Sequence, residues 1–523
     1  MTRAARELVL LSAAYWLAAL FLPALGKNPL NDDWAFGPAA TSLLPQAAAT
    51  PNLLVQALWG RLFLSLFGGG YAALRMSTLA LGWLGALAFH RFLLRRRLCP
   101  GRETALTAAL LFSPLWFCLS PNFMTDVPCA ALVVAAAAAA ALERRRAGAL
   151  VAAAAVGVRQ TALAVPAAWL LLLAFERRLS ARSAIEIAAP SAAVELVCLF
   201  WRAGAPAVAH PLLFTPAILL ARAATGLLYC GLFALPAAAA FWLDEPRKRL
   251  RALSRGEKIR LLLLGGALAA VAALAGAGLP PDARSFFDCN YLTENGLGCW
   301  DLQGLHPPMI LGSGLFWAAL GALCAGSVAT LMIPRQNPAA RRFSFLCAAA
   351  SLAAFPAARF FDRYFLPLVP AALCLGAAAV GTSARSRAGL WAATAALGFF
   401  AWAGTADSLR ASAAAWTLGE RAVARGMAPE EVRASMTWCW AHEWPSRFEQ
   451  ERRRAAEPGV DLPMSCLSDP AAVVSMKESL IHPLPVLDSQ DYFSPLRMSR
   501  VRLNLYERRP AEKAGGKFAK MAP

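Results

Sequence analysis

Apolar runs long enough to cross a lipid bilayer recur along residues 1–405 of this chain. Of its 523 residues, 58% are hydrophobic and only 16% are charged. A water-soluble fold of this length has too little interior to bury so much apolar surface, whereas a bilayer accepts apolar helices of about 20 residues. The pattern predicts an all-α polytopic membrane protein with about 13 transmembrane helices.

Basic residues are concentrated in alternate loops between these runs, for example at 95–97 and 144–146. Loops rich in arginine and lysine stay on the cytoplasmic side of a membrane. The alternation predicts a cytoplasmic N-terminus and, with an odd number of spans, an extracytoplasmic C-terminal region. It also accounts for the net charge of +19 without nucleic acid, since no basic patch is interleaved with aromatic side chains.

The composition changes after residue 405, where charged residues and scattered prolines become frequent. The segment 501–506 alternates between polar and apolar residues, as a strand does. We therefore expect a transmembrane domain over 1–405, a small mixed α/β extracytoplasmic domain over 406–509 and a disordered tail over 510–523.

Some local expectations follow from the apolar pattern. Residues 53–66 have helical spacing and should lie along the outer surface. The stretch 147–176 fits two short helices or one long re-entrant element, and 212–243 fits an interfacial helix at 212–222 followed by a span. On an oxidising outer side, two cysteine pairs are candidates for disulfides: Cys289 with Cys299, and Cys439 with Cys466.

Three aspartates at the predicted outer ends of spans are the candidate catalytic groups. Asp32 and Asp33 follow the first span, and Asp126 stands at the start of a later one. Each also fits a structural role, as a helix cap or a solvated loop charge. Carboxylates that meet in one outer cavity can accept a proton from an incoming nucleophile, orient that nucleophile or hold a metal ion.

The candidate substrate-binding groups are cationic, amide or aromatic side chains at the same predicted face. They are Arg159, Gln160, Arg359, Arg363, Tyr364 and Trp34. A guanidinium fork matches phosphate geometry and stays charged near lipid. The alternative is an aromatic belt with arginines that extend to the membrane surface. His306 and His442 have no second ligand at metal-site spacing, so we expect structural roles for them.

Several motifs in this order resemble the GT-C glycosyltransferases: an acidic pair after the first span, Met124–Pro128, Arg159-Gln160 and Phe361–Pro367. The resemblance is to bacterial relatives of dolichyl-phosphate-mannose protein mannosyltransferases and lipid A aminoarabinose transferases, and it covers roughly residues 1–405. It implies an inverting enzyme of the bacterial inner membrane. Such an enzyme moves a sugar from a polyprenyl-phosphate donor to a lipid, glycan or protein acceptor on the outer face.

The resemblance also implies residue roles. Asp32 or Asp33 would activate the acceptor as a base, with a slight preference for Asp33 because Trp34 could fix its neighbour. Asp126 would position the acceptor or the base. A divalent cation remains an open cofactor, because no set of metal-binding histidines is evident.

Arg159 and Arg363 would, by the same resemblance, neutralise the leaving phosphate. The main alternative function is a multispan transporter or lipid flippase, and a further one is a membrane scaffold. Transporters place ionisable groups near the bilayer midplane. Here the span interiors are nearly free of them, apart from Glu186 and Glu195.

Overall fold

The computed structural model describes the chain in separate segments. These are 3–23, 25–44, 51–203, 215–244, 291–293, 296–298, 337–357, 360–378, 380–443, 470–476 and 484–507, with short pieces within 251–270 and 323–328. The predictions for Arg359, His306 and the 510–523 tail fall outside the described residues, as do those for three cysteines, Cys289, Cys299 and Cys466.

The chain divides into two compact units. The first comprises Met1–Cys299 with Pro308–Ser408, and the second comprises Trp300–Pro307 with Leu409–Pro523. The proposed division into 1–405, 406–509 and 510–523 remains a prediction.

The described part of the first unit is mostly helical, as the apolar composition predicts. Its α-helices are α1 (Arg3–Leu20), α2 (Asp33–Ser42), α3 (Leu54–Phe67), α4 (Tyr71–Arg96), α5 (Glu103–Leu111), α6 (Pro114–Leu119), α7 (Asp126–Ala141), α8 (Arg145–Val158), α9 (Ala164–Phe175), α10 (Ala181–Arg202), α11 (Pro216–Trp242), α12 (Pro338–Leu352), α13 (Leu368–Ala377) and α14 (Ala384–Ala424), which continues into the second unit. Short 3₁₀ helices cover Gln160–Leu163 and Asp362–Phe365, and a two-stranded hairpin joins β1 (Leu292–Thr293) to β2 (Gly296–Leu297).

Three helices of the described segments are long and apolar enough to cross a membrane. They are Tyr71–Arg96, Ala181–Arg202 and the Ile218–Trp242 part of α11. Shorter apolar helices cover Leu54–Phe67, Asp126–Ala141 and Gln160–Phe175. These helices fit a membrane protein, and the number of about 13 spans remains a prediction.

Three segments with specific helix predictions, 53–66, 147–176 and 212–243, can be compared with the structure. The helix expected at 53–66 is present as α3, and its place at the outer surface stays a prediction. The 147–176 stretch forms two helices, α8 and α9, joined by a 3₁₀ turn. The separate interfacial helix expected at 212–222 is wrong, because one continuous 27-residue helix, α11, begins at Pro216. Pro216 is at the first helical position, where its missing N–H and fixed φ are tolerated.

A close contact between α4 and α7 places the start of α7 beside the middle of α4, with Gly82 next to Val127 and Gly85 next to Ala131. A Cβ atom added at Gly85 would lie 2.7 Å from the Cα atom of Ala131, so only glycine allows this approach. Small residues let helix backbones pack closely in apolar surroundings. The contact helps to hold Arg75, near the start of α4, and Asp126, at the start of α7, in one region.

The second unit contains a four-stranded sheet over one end of α14. Its strands are β3 (Val432–Arg433), β4 (Ala472–Ser475), β5 (Val486–Ser494) and β6 (Ser499–Glu507), in the order β3-β4-β6-β5. Only the β3–β4 pair is parallel. The strand expected at 501–506 is part of β6.

The core of the second unit packs aromatic rings from α14 and the following segment. The ring of His442 lies 4.3 Å from that of Trp438 and 5.9 Å from that of Trp416, which fits the structural role expected for this histidine. Cys439 is disulfide-bonded, and its expected partner lies outside the described residues.

Candidate functional site

The two adjacent aspartates have different surroundings. Asp33, the first residue of α2, is fully buried, and its Oδ2 atom accepts hydrogen bonds from Arg75 Nη2 at 2.7 Å and Nε at 3.0 Å. Its Oδ1 atom accepts the backbone N–H of Phe123 at 2.7 Å, and Oδ2 also accepts that of Leu30 at 3.2 Å. Both oxygens of Asp33 are therefore engaged by the protein.

The guanidinium of Arg75 is held equally firmly. It is fully buried, and it donates to the backbone oxygens of Leu25 and Asn28 as well as to Asp33. Asp33 and Arg75 thereby tie the loop before α2 to the start of α4 and to the loop before α7. A carboxylate in such a network is poorly placed to bind a substrate, so these contacts do not support the preference for Asp33 over Asp32 as the base.

Asp32 faces a different set of groups. Its side chain is 41% exposed, and its Oδ2 atom lies 3.5 Å from Arg363 Nη1. The preceding residue, Asn31, has a left-handed backbone with a φ of 47°. The short polar side chain of asparagine tolerates this conformation, which helps the chain turn into α2. Asp32 is the more accessible of the two aspartates.

Asp126 lies beside two arginines. Its side chain is 1% exposed, and Oδ1 lies 2.6 Å from Arg159 Nη1 and 3.7 Å from Arg363 Nε. Arg363 therefore lies between Asp126 and Asp32. Asp126 is the first residue of α7, yet its side chain pairs with arginines from distant segments instead of serving only as a cap. Its other oxygen, Oδ2, is buried and accepts no hydrogen bond from the described residues.

Four side chains from four separate segments thus converge, and we call them the four-residue site: Asp32, Asp126, Arg159 and Arg363. The structure brings these predicted residues together. Arg159 directly follows the last residue of α8, and Arg363 lies in the 3₁₀ helix Asp362–Phe365. With two carboxylates and two guanidiniums, the site has a formal charge of zero when all four are ionised.

Aromatic rings border the two arginines. The guanidinium of Arg159 lies 4.9 Å from the centre of the Tyr364 ring, and that of Arg363 lies 4.4 Å from the centre of the Phe361 ring. Arg363 Nη1 is also 3.4 Å from the hydroxyl oxygen of Tyr291. Such cation–π contacts are attractive and help to fix the direction of a guanidinium.

The remaining predicted residues have different positions. Gln160, the residue after Arg159, begins the 3₁₀ helix Gln160–Leu163 and is half-buried. Trp34 packs against an apolar cluster that includes Phe36 and Phe123, so it helps to hold α2.

Asp362 was not among the predicted site residues, yet it supports the site. It is fully buried and accepts the backbone N–H groups of Tyr291 and Leu292 at 3.0 and 2.9 Å, and the hydroxyl of Tyr229 at 3.0 Å. Burial raises the pKa of Asp362 to about 6, against the lowering effect of these hydrogen bonds. Asp362 fixes β1 beside its neighbour Arg363, a long-range role for which the sequence has no signal.

The electrostatic surroundings of Asp32 suit a base. Desolvation by the surrounding protein raises the pKa of Asp32, although part of the side chain is open to solvent. Arg363 lowers this pKa, and the neighbouring Asp126 carboxylate raises it. The resulting pKa is above the usual value for aspartate. A base with a raised pKa binds a proton more readily in the transition state.

A divalent cation does not fit these residues well. The guanidiniums of Arg159 and Arg363 already pair with Asp126, and that of Arg363 also lies beside Asp32. Their positive charges would repel a metal cation. In the described portion of the chain, no group of three histidine, cysteine, aspartate or glutamate side chains has the arrangement of a metal site.

Two solved structures are similar to this chain, both of ArnT from Cupriavidus metallidurans, a lipid A aminoarabinose transferase of the GT-C fold. The structure bound to undecaprenyl phosphate is 15% identical and matches 97% of this chain and 99% of its own, with a TM-score of 0.37. The apo structure is 14% identical and matches 96% and 98%, with a TM-score of 0.37. No family model matches the chain, and no curated protein matches it.

The structure neighbours therefore come from one of the two enzyme groups that the sequence motifs resemble.

Proposed function

We propose that this protein is a GT-C-type membrane glycosyltransferase that moves a sugar from a polyprenyl-phosphate donor to an acceptor at the outer face of a bacterial inner membrane. The observation that carries the proposal is the four-residue site. One partly exposed carboxylate, Asp32, lies beside a buried network of Asp126, Arg159 and Arg363. Such a site combines a proton acceptor with cations that suit a phosphate.

In the proposed reaction, Asp32 is the base. An acceptor hydroxyl donates a hydrogen bond to its carboxylate and transfers its proton as the oxygen attacks the anomeric carbon. The bond from that carbon to the phosphate oxygen breaks on the opposite side, so the configuration at carbon inverts. The lipid phosphate leaves with the electron pair of the broken bond.

The leaving phosphate gains negative charge as the bond breaks. Arg363 has the better position to stabilise it, because its weak 3.5 Å contact with Asp32 is easily exchanged for a contact with phosphate. Arg159 is bound closely to Asp126 at 2.6 Å and contributes mainly to holding that carboxylate. Asp126 in turn orients Arg363, a positioning role.

The orientation of the chain in the membrane is the last part of the proposal. The basic loops favour a cytoplasmic N-terminus, which assigns the segments that carry the four residues to the outer side. About 13 spans and an extracytoplasmic region after residue 405 belong to the same proposal. The acceptor can be a lipid, a glycan or a protein.

Mass spectrometry of envelope glycoconjugates tests this function. Cells that produce the protein should contain a glycoconjugate whose mass exceeds that in cells without it by one sugar residue. Cells that produce Asp32→Asn should lack that product at equal protein level. Asp491→Asn, which alters an exposed aspartate paired with Arg502 in the second unit, is the control and should retain it.

A product that persists at full level in Asp32→Asn cells would exclude Asp32 as the base. Identical glycoconjugates in cells with and without the protein would exclude the transferase. In that case, uptake of a sugar lipid into vesicles that contain the purified protein would favour the transporter alternative.

A further inference from the structure

The face of the first unit that we predict to be cytoplasmic carries a group of arginines unrelated to the proposed chemistry. Arg144, Arg145 and Arg146 lie at the beginning of α8, and Arg182 lies in the first turn of α10. Together with Glu186 they line a shallow, open surface depression of about 660 Å³. We call these five residues the arginine patch.

The arginine patch has more positive than negative charge. Glu186 is 3.2 Å from Arg182 Nε, 3.5 Å from Arg145 Nη1 and 3.6 Å from Arg146 Nη2. One carboxylate therefore pairs with three guanidiniums, and Arg144 adds a fourth positive charge to the same depression. The side chains of Arg146 and Arg182 are 76% and 78% exposed, so their donors can reach an anion.

The arginine patch also lies where lipid-facing surface begins. α10 is a candidate membrane span, and only 22% of its apolar window is buried inside the protein. Next to Glu186, the side chain of Ile185 is 66% exposed, and Leu150 of α8 is 63% exposed. Acyl chains are the expected neighbours of such apolar side chains, which puts lipid head groups level with the arginines.

We propose that the arginine patch binds the phosphate group of an anionic phospholipid in the leaflet on that side of the membrane. The guanidinium fork donates two parallel hydrogen bonds to a phosphate, and the excess positive charge favours a lipid with a net negative charge. Inorganic phosphate offers the same oxygens, but it has no acyl chains to cover Ile185 and Leu150. These exposed side chains favour the lipid.

Native mass spectrometry of the full chain in detergent tests this binding. The protein is titrated with phosphatidylglycerol and, separately, with phosphatidylcholine of the same acyl chains, and phosphatidylglycerol should be retained more strongly. In Arg146→Gln/Arg182→Gln its retention should weaken about 25-fold, because each basic side chain near an anionic head group contributes about fivefold. Arg385→Gln/Arg387→Gln removes the same charge from exposed arginines at the start of α14, and it should leave retention unchanged.

Equal retention of the two lipids, or equal weakening in both double variants, would overturn the proposal. Full displacement of phosphatidylglycerol by inorganic phosphate would assign the arginine patch to a soluble anion and would also overturn it. A second variant covers the case in which the double variant does not fold. Glu186→Gln keeps all four arginines and should raise retention about fivefold, and unchanged or weaker retention would contradict the proposal.

Discussion

Asp33 and Arg75 form a buried ion pair whose disruption should lower stability, whereas the adjacent Asp32 should matter mainly for transfer. Both side chains of the pair are fully buried, and two guanidinium nitrogens of Arg75 bond to one oxygen of Asp33. Removing one member of such a pair leaves a buried charge without its partner, which costs about 3–5 kcal/mol in free energy of unfolding.

The single variants Asp33→Asn and Arg75→Met should each approach that loss. Asp33→Asn should lie near the lower end, about 3 kcal/mol, because the amide oxygen can still accept the N–H of Phe123. The double variant Asp33→Asn/Arg75→Met removes both charges and should recover about 2 kcal/mol relative to the sum of the single losses. The recovery isolates the pair from general damage to the fold.

Asp32→Asn is the matched comparison at the neighbouring position. Its contact with Arg363 is 3.5 Å long and its side chain is 41% exposed, so solvent screening limits the loss to about 1 kcal/mol or less. Sugar transfer per folded protein should nevertheless fall by roughly 10²–10⁴, the usual contribution of a general base.

The assay is unfolding of the purified protein in detergent, followed by tryptophan fluorescence, together with transfer measured on the folded fraction. The reasoning would be refuted by an Asp33→Asn protein of unchanged stability that transfers no sugar, combined with an Asp32→Asn protein of full activity. That outcome would make Asp33 the base, as the neighbouring Trp34 slightly favoured at the level of sequence.

Three other results are expected. Transfer should decrease as the pH falls through the raised pKa of Asp32, since only the deprotonated carboxylate accepts a proton; a kcat/KM profile with no acidic limb would contradict this. Arg363→Lys keeps the charge but loses the fork, so kcat should fall by roughly 10² with little change in KM, and an unchanged kcat would remove Arg363 from the reaction. Gly85→Ala places a Cβ atom 2.7 Å from the Cα atom of Ala131 and should lower the free energy of unfolding by about 1–3 kcal/mol. The control Gly69→Ala meets nothing within 4 Å and should not destabilise the protein. Thermal unfolding of both variants measures the difference, and equal stability would contradict the packing argument.

The sequence could group several candidate site residues because the composition of the loops predicts membrane sidedness. Alternating basic loops predict one face for Asp32, Asp126 and Arg363, although long segments of chain separate them. Apolar runs likewise indicate helices, since a buried backbone in lipid has to satisfy its hydrogen bonds within the segment.

The choice between adjacent aspartates could not be made from sequence. Asp32 and Asp33 have the same chemistry and the same local context, and the resemblance to known enzymes left both open. The difference comes from Arg75, which the sequence presents only as an outer basic residue, and from the backbone N–H of Phe123, which no residue type reveals.

The supporting role of Asp362 was hidden for a similar reason. Its partners are two backbone N–H groups and the hydroxyl of Tyr229, all far away along the chain. Sequence proximity suggests only a pairing of Asp362 with the adjacent Arg363. Backbone partners become evident only when a distant strand is in place.

The sequence by itself determined that this chain forms apolar helices and that its acidic and basic groups collect at their ends, because hydrophobic length and charge distribution act locally along each segment. Only the tertiary structure decided which carboxylate is engaged by the fold and which remains accessible. That distinction depends on distances between side chains from different helices, and packing such as the contact of Gly85 with Ala131 sets those distances.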